Sequence, residues 1–119
     1  MMSEIEKLYE LAGIEKDWRS LPYSDIEEYY PPFTAEKQLA LLQYIEKLDW
    51  IDELRSVYRP FEEMWLFQIY IVTEFVNEKS VTRLGAGKNF VNGLASLINN
   101  LWQDLTETEQ EEIRKILKG

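Results

Sequence analysis

Met64-Trp65-Leu66-Phe67-Gln68-Ile69-Tyr70-Ile71-Val72-Thr73-Glu74-Phe75-Val76 is the stretch on which the reading of this chain turns. Trp65, Phe67, Ile69, Ile71, Thr73 and Phe75 fall on one side of a two-residue alternation. The density of β-branched and aromatic side chains favours a strand, because such residues pack well on a pleated, half-buried surface. A helix can also be drawn through Trp65, Ile69, Val72 and Val76. Thirteen residues is long for a strand, so the reading includes a bulge or bend. Ser56 to Arg59 reads as a short preceding strand, with Pro60 at an edge or turn. Ser80 to Leu84 reads as the return strand, joined through a hairpin loop at Asn77-Glu78-Lys79.

Helical patterns lie on both sides of this centre. Upstream, Ser3 and Glu6 fit a capping box, and Ile5, Leu8, Tyr9 and Ala12 recur at helical spacing up to Gly13. Thr34 caps a second helix, Ala35 to Leu48, with Ala35, Leu39, Leu42 and Ile45 on its apolar stripe. Downstream, a helix opens at Asn89 and carries Val91, Leu94, Ala95, Ile98, Leu101, Trp102 and Leu105. Thr106 and Glu109 make another capping box before a short last helix with Ile113, Ile116 and Leu117.

The element order α-α-β-β-α-α predicts an α+β fold, with a small antiparallel sheet of two to three strands carrying the long helices on its faces. Residues 1–119 read as a single domain. Residues 15–33 read as a connector rich in turn formers that ends in the extended, polyproline-like Glu27-Glu28-Tyr29-Tyr30-Pro31-Pro32-Phe33. Either it wraps the body with its aromatic rings buried, or residues 1–33 form a loosely packed helix and connector.

The chain has neither histidine nor cysteine. The usual proton shuttle near neutral pH, the commonest zinc and haem ligands and the strongest side-chain nucleophile are therefore missing. This points away from an enzyme, a metal site or a cofactor. The net charge of −9 repels nucleic acids and anionic membranes and attracts basic partners. The acidic, amphipathic start lacks the features of a signal peptide, and Met64 to Thr73 is about half the length of a membrane span. The expected setting is the cytoplasm.

Gly85-Ala86-Gly87-Lys88-Asn89 is a candidate phosphate cradle, since a glycine turn feeding a helix N-terminus favours anions. The P-loop spacing fails, because Thr82 stands where its first glycine belongs and Asn89 where it needs Ser or Thr. Rossmann spacing fails at Phe90. The competing reading is a turn whose glycines supply unusual backbone angles and whose Asn89 caps the helix. Candidate interface residues are the aromatics Trp18, Tyr29, Tyr30 and Phe33 and the acids Glu46, Asp49, Asp52 and Glu53. The acids would present phosphate-like charge to the basic cleft of a nucleic-acid-handling protein. The carboxylate clusters otherwise read as solvated surface.

Two segments carry a resemblance: Tyr30-Pro31-Pro32-Phe33-Thr34-Ala35-Glu36-Lys37-Gln38-Leu39, and Leu94-Ala95-Ser96-Leu97-Ile98-Asn99-Asn100-Leu101-Trp102-Gln103-Asp104-Leu105-Thr106. With Leu11-Ala12-Gly13-Ile14 they resemble small uncharacterised proteins encoded in phages and prophages of Gram-positive bacteria. The resemblance spans both ends of the domain and leaves out Trp50 to Leu84. It implies an accessory phage gene and brings no catalytic residue. The resulting expectation is a non-enzymatic protein-binding module, monomeric or weakly self-associating, in a bacterial host cell. The alternatives are a small nucleotide- or phosphate-binding protein using the Gly85–Asn89 turn, and a structural homo-oligomer.

Overall fold

A computed structural model describes residues 3–20, 26–71 and 81–119. Along the chain run helix α1 (Glu4–Leu11), strands β1 (Asp17–Ser20) and β2 (Ile26–Tyr29), helix α2 (Ala35–Glu46), strands β3 (Ile51–Arg59), β4 (Met64–Ile71) and β5 (Val81–Gly87), helix α3 (Phe90–Leu101), a 3-10 turn (Trp102–Asp104) and helix α4 (Glu107–Lys118). The architecture is α+β, with a three-stranded antiparallel sheet in the order β3-β4-β5.

Helix starts follow their caps. Ser3, Thr34, Asn89 and Thr106 each accept a hydrogen bond from the backbone N–H three residues on. At Thr106 the box is complete, because the Glu109 carboxylate also accepts the Thr106 N–H at 2.8 Å. Gly13 ends α1 at φ +70°, a backbone angle that costs glycine nothing.

Strand β4 alternates as its sequence predicts. Phe67 and Ile69 are fully buried, and Trp65 and Ile71 pack beside them on the same core. Burying a side chain such as Phe67 is worth about 1.5–3 kcal/mol. The expected bend is a register shift between Ile69 and Tyr70. Thr73, Phe75 and the hairpin loop at Asn77-Glu78-Lys79 lie outside the described residues.

The structure departs from the expected layout in four places. First, β3 runs from Ile51 rather than Ser56, with a shift between Ile51 and Glu53. Second, the connector holds a two-stranded antiparallel ribbon, Asp17↔Tyr29 to Ser20↔Ile26, so Glu27 to Tyr29 is paired strand rather than free polyproline. Four-residue strands are too short to show a period. Third, β5 continues through Gly85 and Gly87, where the sequence reads as a turn. Fourth, the helices pack on one side of the sheet only. α3 lies on β4 and β5, and α1 rests on α3. Leu8, Tyr9, Ala12, Leu94, Leu97, Ile98 and Leu101 belong to a single buried cluster. Tyr9 stacks on Tyr30 at 5.0 Å between ring centres and meets Phe33 edge-on at 6.3 Å. The first helix and the end of its connector are thus built into the core, with the Tyr30 and Phe33 rings turned inward.

Candidate functional site

The glycines of β5 are explained by packing. A Cβ on Gly85 would lie 2.4 Å from the Leu97 backbone nitrogen, and one on Gly87 would lie 2.4 Å from the Gly93 nitrogen. Helix α3 lies directly against the strand backbone, where no side chain fits. Neither glycine has a positive φ, so the expected unusual backbone angles are not the reason for them. At the helix start, the Asn89 side-chain oxygen accepts the Asn92 N–H at 2.8 Å, and its backbone carbonyl accepts the Gly93 N–H at 3.0 Å. Lys88 is exposed beside this capped end. Gly85 and Gly87 thus form the end of a strand under a helix, with Lys88 just beyond them.

The candidate aromatics divide. Tyr30 and Phe33 are half-buried against the core, whereas Trp18 is 65% exposed and Tyr29 is exposed at the end of β2. Among the candidate acids, Glu46, Asp49 and Asp52 are exposed along the passage from α2 into β3. Glu53 is half-buried, and Arg55 donates to its carboxylate at 2.8 Å. That bond is the first cause of the raised Arg55 pKa, followed by the Glu53 charge. Arg55 also stands over the Tyr70 ring at 5.3 Å. Glu53 thus belongs to a mixed carboxylate–guanidinium–aromatic cluster rather than to a purely acidic face.

This cluster marks the uncovered side of the sheet. The register puts Glu53, Arg55, Val57 and Arg59 of β3 opposite Tyr70, Gln68, Leu66 and Met64 of β4. Across β4, Leu84 and Ala86 continue the rows of Gln68 and Leu66. Because side chains alternate between faces, all of these point away from the side holding Phe67 and Ile69. No described helix packs there. Val57 is 42% exposed and Leu84 50%. At the tip of the β3–β4 hairpin, the Glu63 N–H donates to the Pro60 carbonyl at 3.3 Å, and the turn holds Phe61 fully in solvent. Sequence reasoning missed Val57, Phe61, Leu66 and Leu84. The alternation Glu53, Arg55, Val57, Arg59 was the available signal, and a half-exposed strand reads like a loop when its outer residues are charged.

The two edges of the sheet also differ. On β5, the Ala86 N–H donates to the Ser96 hydroxyl at 3.3 Å, and the Leu84 carbonyl accepts from the Asn100 amide. Arg83 reaches Asp104 through both Nε (2.6 Å) and Nη2 (2.9 Å). Helix α3 and the turn after it thus close that edge. No described strand pairs with the outer edge of β3.

Among the described residues, no three His, Cys, Asp or Glu converge on a point that could hold a metal ion. Among the described residues, Tyr9, Tyr44, Arg55 and Arg83 titrate above their ordinary values, away from neutral pH. Burial drives the Tyr9 shift, to about 12, and leads the Tyr44 shift ahead of the Glu109 and Glu112 charges. No described helix is long and apolar enough to cross a membrane. Comparison with protein-family models, with curated proteins and with solved structures finds no match to this chain.

Proposed function

We propose that this protein is a non-enzymatic binding module for another protein, working through the uncovered face of the sheet and the tip of the β3–β4 hairpin. The supporting observation is the run of apolar side chains left in solvent there: Val57, Leu84 and the fully exposed Phe61, with half-exposed Leu66 between them. Exposed apolar patches rimmed by polar residues are the usual sign of a protein-interaction surface, and an aromatic residue anchors such contacts best. The rim here is Arg55, Glu53, Arg59 and Glu62. It carries both signs of charge, so the partner is matched by apolar fit more than by attraction to an acidic surface. A phage or prophage setting in the bacterial cytoplasm rests on the two resembling segments.

The test is capture from a nuclease-treated Gram-positive lysate with three baits: the native chain, Val57→Lys/Leu84→Lys, and Trp18→Ser. The reading expects one stoichiometric protein on the native and Trp18→Ser baits and its loss on the double variant. Retention on the double variant, or capture of nothing by the native chain, would overturn it.

A further inference from the structure

The outer edge of β3, on which no described strand lies, has a definite hydrogen-bonding phase. Leu84 and Ala86 direct their backbone groups outward to Asn100 and Ser96. In an antiparallel ladder the N–H and C=O of one residue point the same way, and successive residues alternate. Gly85 and its alternates on β5 therefore bond to Phe67 and Ile69 on β4. Leu66 and Gln68 in turn bond to Val57 and Arg55. The N–H and C=O groups of Leu54, Ser56 and Tyr58 then point away from the sheet. The register is unbroken from Glu53 to Arg59, and the one shift in this pair lies before it. A regular, unprotected edge of this kind is a template for another strand.

We infer that the strand added there is β3 of a second copy, antiparallel about a two-fold axis at Ser56, giving a continuous six-stranded sheet. Charge and side-chain complementarity select this occupant and this register. Within β3, Asp52 and Glu53 balance Arg55 and Arg59, so the strand is neutral in a chain of net charge −9. Two copies meet least repulsion along it. Centring on Ser56 pairs Leu54 with Tyr58 of the second copy, and both belong to the phase whose backbone groups point outward. On the helix side, the 46%-exposed Tyr58 ring then covers the half-buried Leu54. On the uncovered side, Glu53 faces Arg59 of the second copy at each end of the joint, and Arg55 lies beside Val57. Opposite charges directly across a strand pair stabilise it and like charges oppose it. The contact is isologous, so it closes as a dimer.

The experiment is sedimentation equilibrium of the full chain from low micromolar to near-millimolar concentration, on the native protein, Glu53→Arg, Arg59→Glu and the exchange Glu53→Arg/Arg59→Glu. The native chain should dimerise. Each single variant places like charges at both ends of the joint and should raise the dimer Kd by about ten-fold or more. The exchange should restore it. Mixing the two single variants should also produce a dimer, because each then supplies the sign that the other lacks. Both positions are at least partly exposed, and the described ion pairs that the variants break, Arg55–Glu53 and Arg59–Glu62, are surface pairs of small worth, so circular dichroism should show native folding throughout. A monomer at every concentration, a dimer indifferent to all the variants, or single variants that fail to associate when mixed would each overturn the proposal.

Discussion

Strand β5 gives up side chains at Gly85 and Gly87, and α3 lies against its backbone with Ser96 and Asn100 bonded to its outer edge. Strand β3, on the opposite side of β4, keeps charged and apolar side chains, and no described strand pairs with its outer edge. The difference teaches where this molecule has freedom. On β5, at Gly85 and Gly87, the backbone of α3 leaves no room for a side chain, so sequence there is dictated by space. On β3 the core holds Ile51 and Leu54, while Val57 and Tyr58 stand exposed where they can serve contact with something else.

Valine at each edge breaks the comparison most sharply. Gly85→Val should cost about 4 kcal/mol or more, because its side chain would meet the backbone of α3 rather than a flexible tip. The matching change on β3, Ser56→Val, should stay within about 0.5 kcal/mol in the monomer. Urea unfolding at low protein concentration measures both, and equal costs would mean that the edges are not distinct. Ser96→Ala leaves the Ala86 N–H without its acceptor and should cost about 1 kcal/mol. Amide exchange at Ala86 should quicken while exchange at Phe67 stays slow.

Below the covered side, the Tyr9 hydroxyl is buried without a hydrogen-bond partner among the described residues. Tyr9→Phe should leave stability at neutral pH unchanged or raise it by up to about 1 kcal/mol. The alkaline limb separates the two proteins. The unfolded chain ionises Tyr9 at its ordinary 10, and the folded chain only at about 12. Between those values the unfolded state binds fewer protons, so native stability falls as pH rises and the loss levels off above about 12. Below 10 both states are neutral and the group contributes nothing. Thermal melting across this window should show a shallower decline in Tyr9→Phe, with the remainder coming in part from Tyr44, which shifts the same way. The smallest effect is at the exposed tip. Glu63 holds φ 50°, so Glu63→Gly should raise the melting midpoint slightly, by about 0.5 kcal/mol in free energy.

Caps and the central strand were legible in the sequence because each rests on local chemistry. Ser3, Thr34, Asn89 and Thr106 act on an N–H three residues away, and the β4 alternation needs only its own pleat. Gly85 and Gly87 were legible as special positions but not as a packing surface, since the atoms that require them belong to α3. The candidate surface was hardest to see. Val57, Leu66 and Leu84 are ordinary strand residues until the helices are known to occupy a single side. Of the residues first singled out for contact, Trp18 stays in solvent, while Tyr30 and Phe33 serve the core.

The attachment of α1 has a consequence for how the chain comes to be folded. Its floor is α3, and its ties are long ones: the Asn99 amide to the Glu4 carbonyl, 95 residues apart, and Arg114 to the Ala12 carbonyl, 102 residues apart. During synthesis α1 is made long before α3, the helix it rests on, while Tyr9 can meet Tyr30 and Phe33 much earlier. Its docking on α3 has to wait until residues 90–101 have been made. Contacts of such sequence separation slow the search for the native state. Until then eight residues of amphipathic sequence are too short to persist as a helix alone, so the first element made is among the last to be secured.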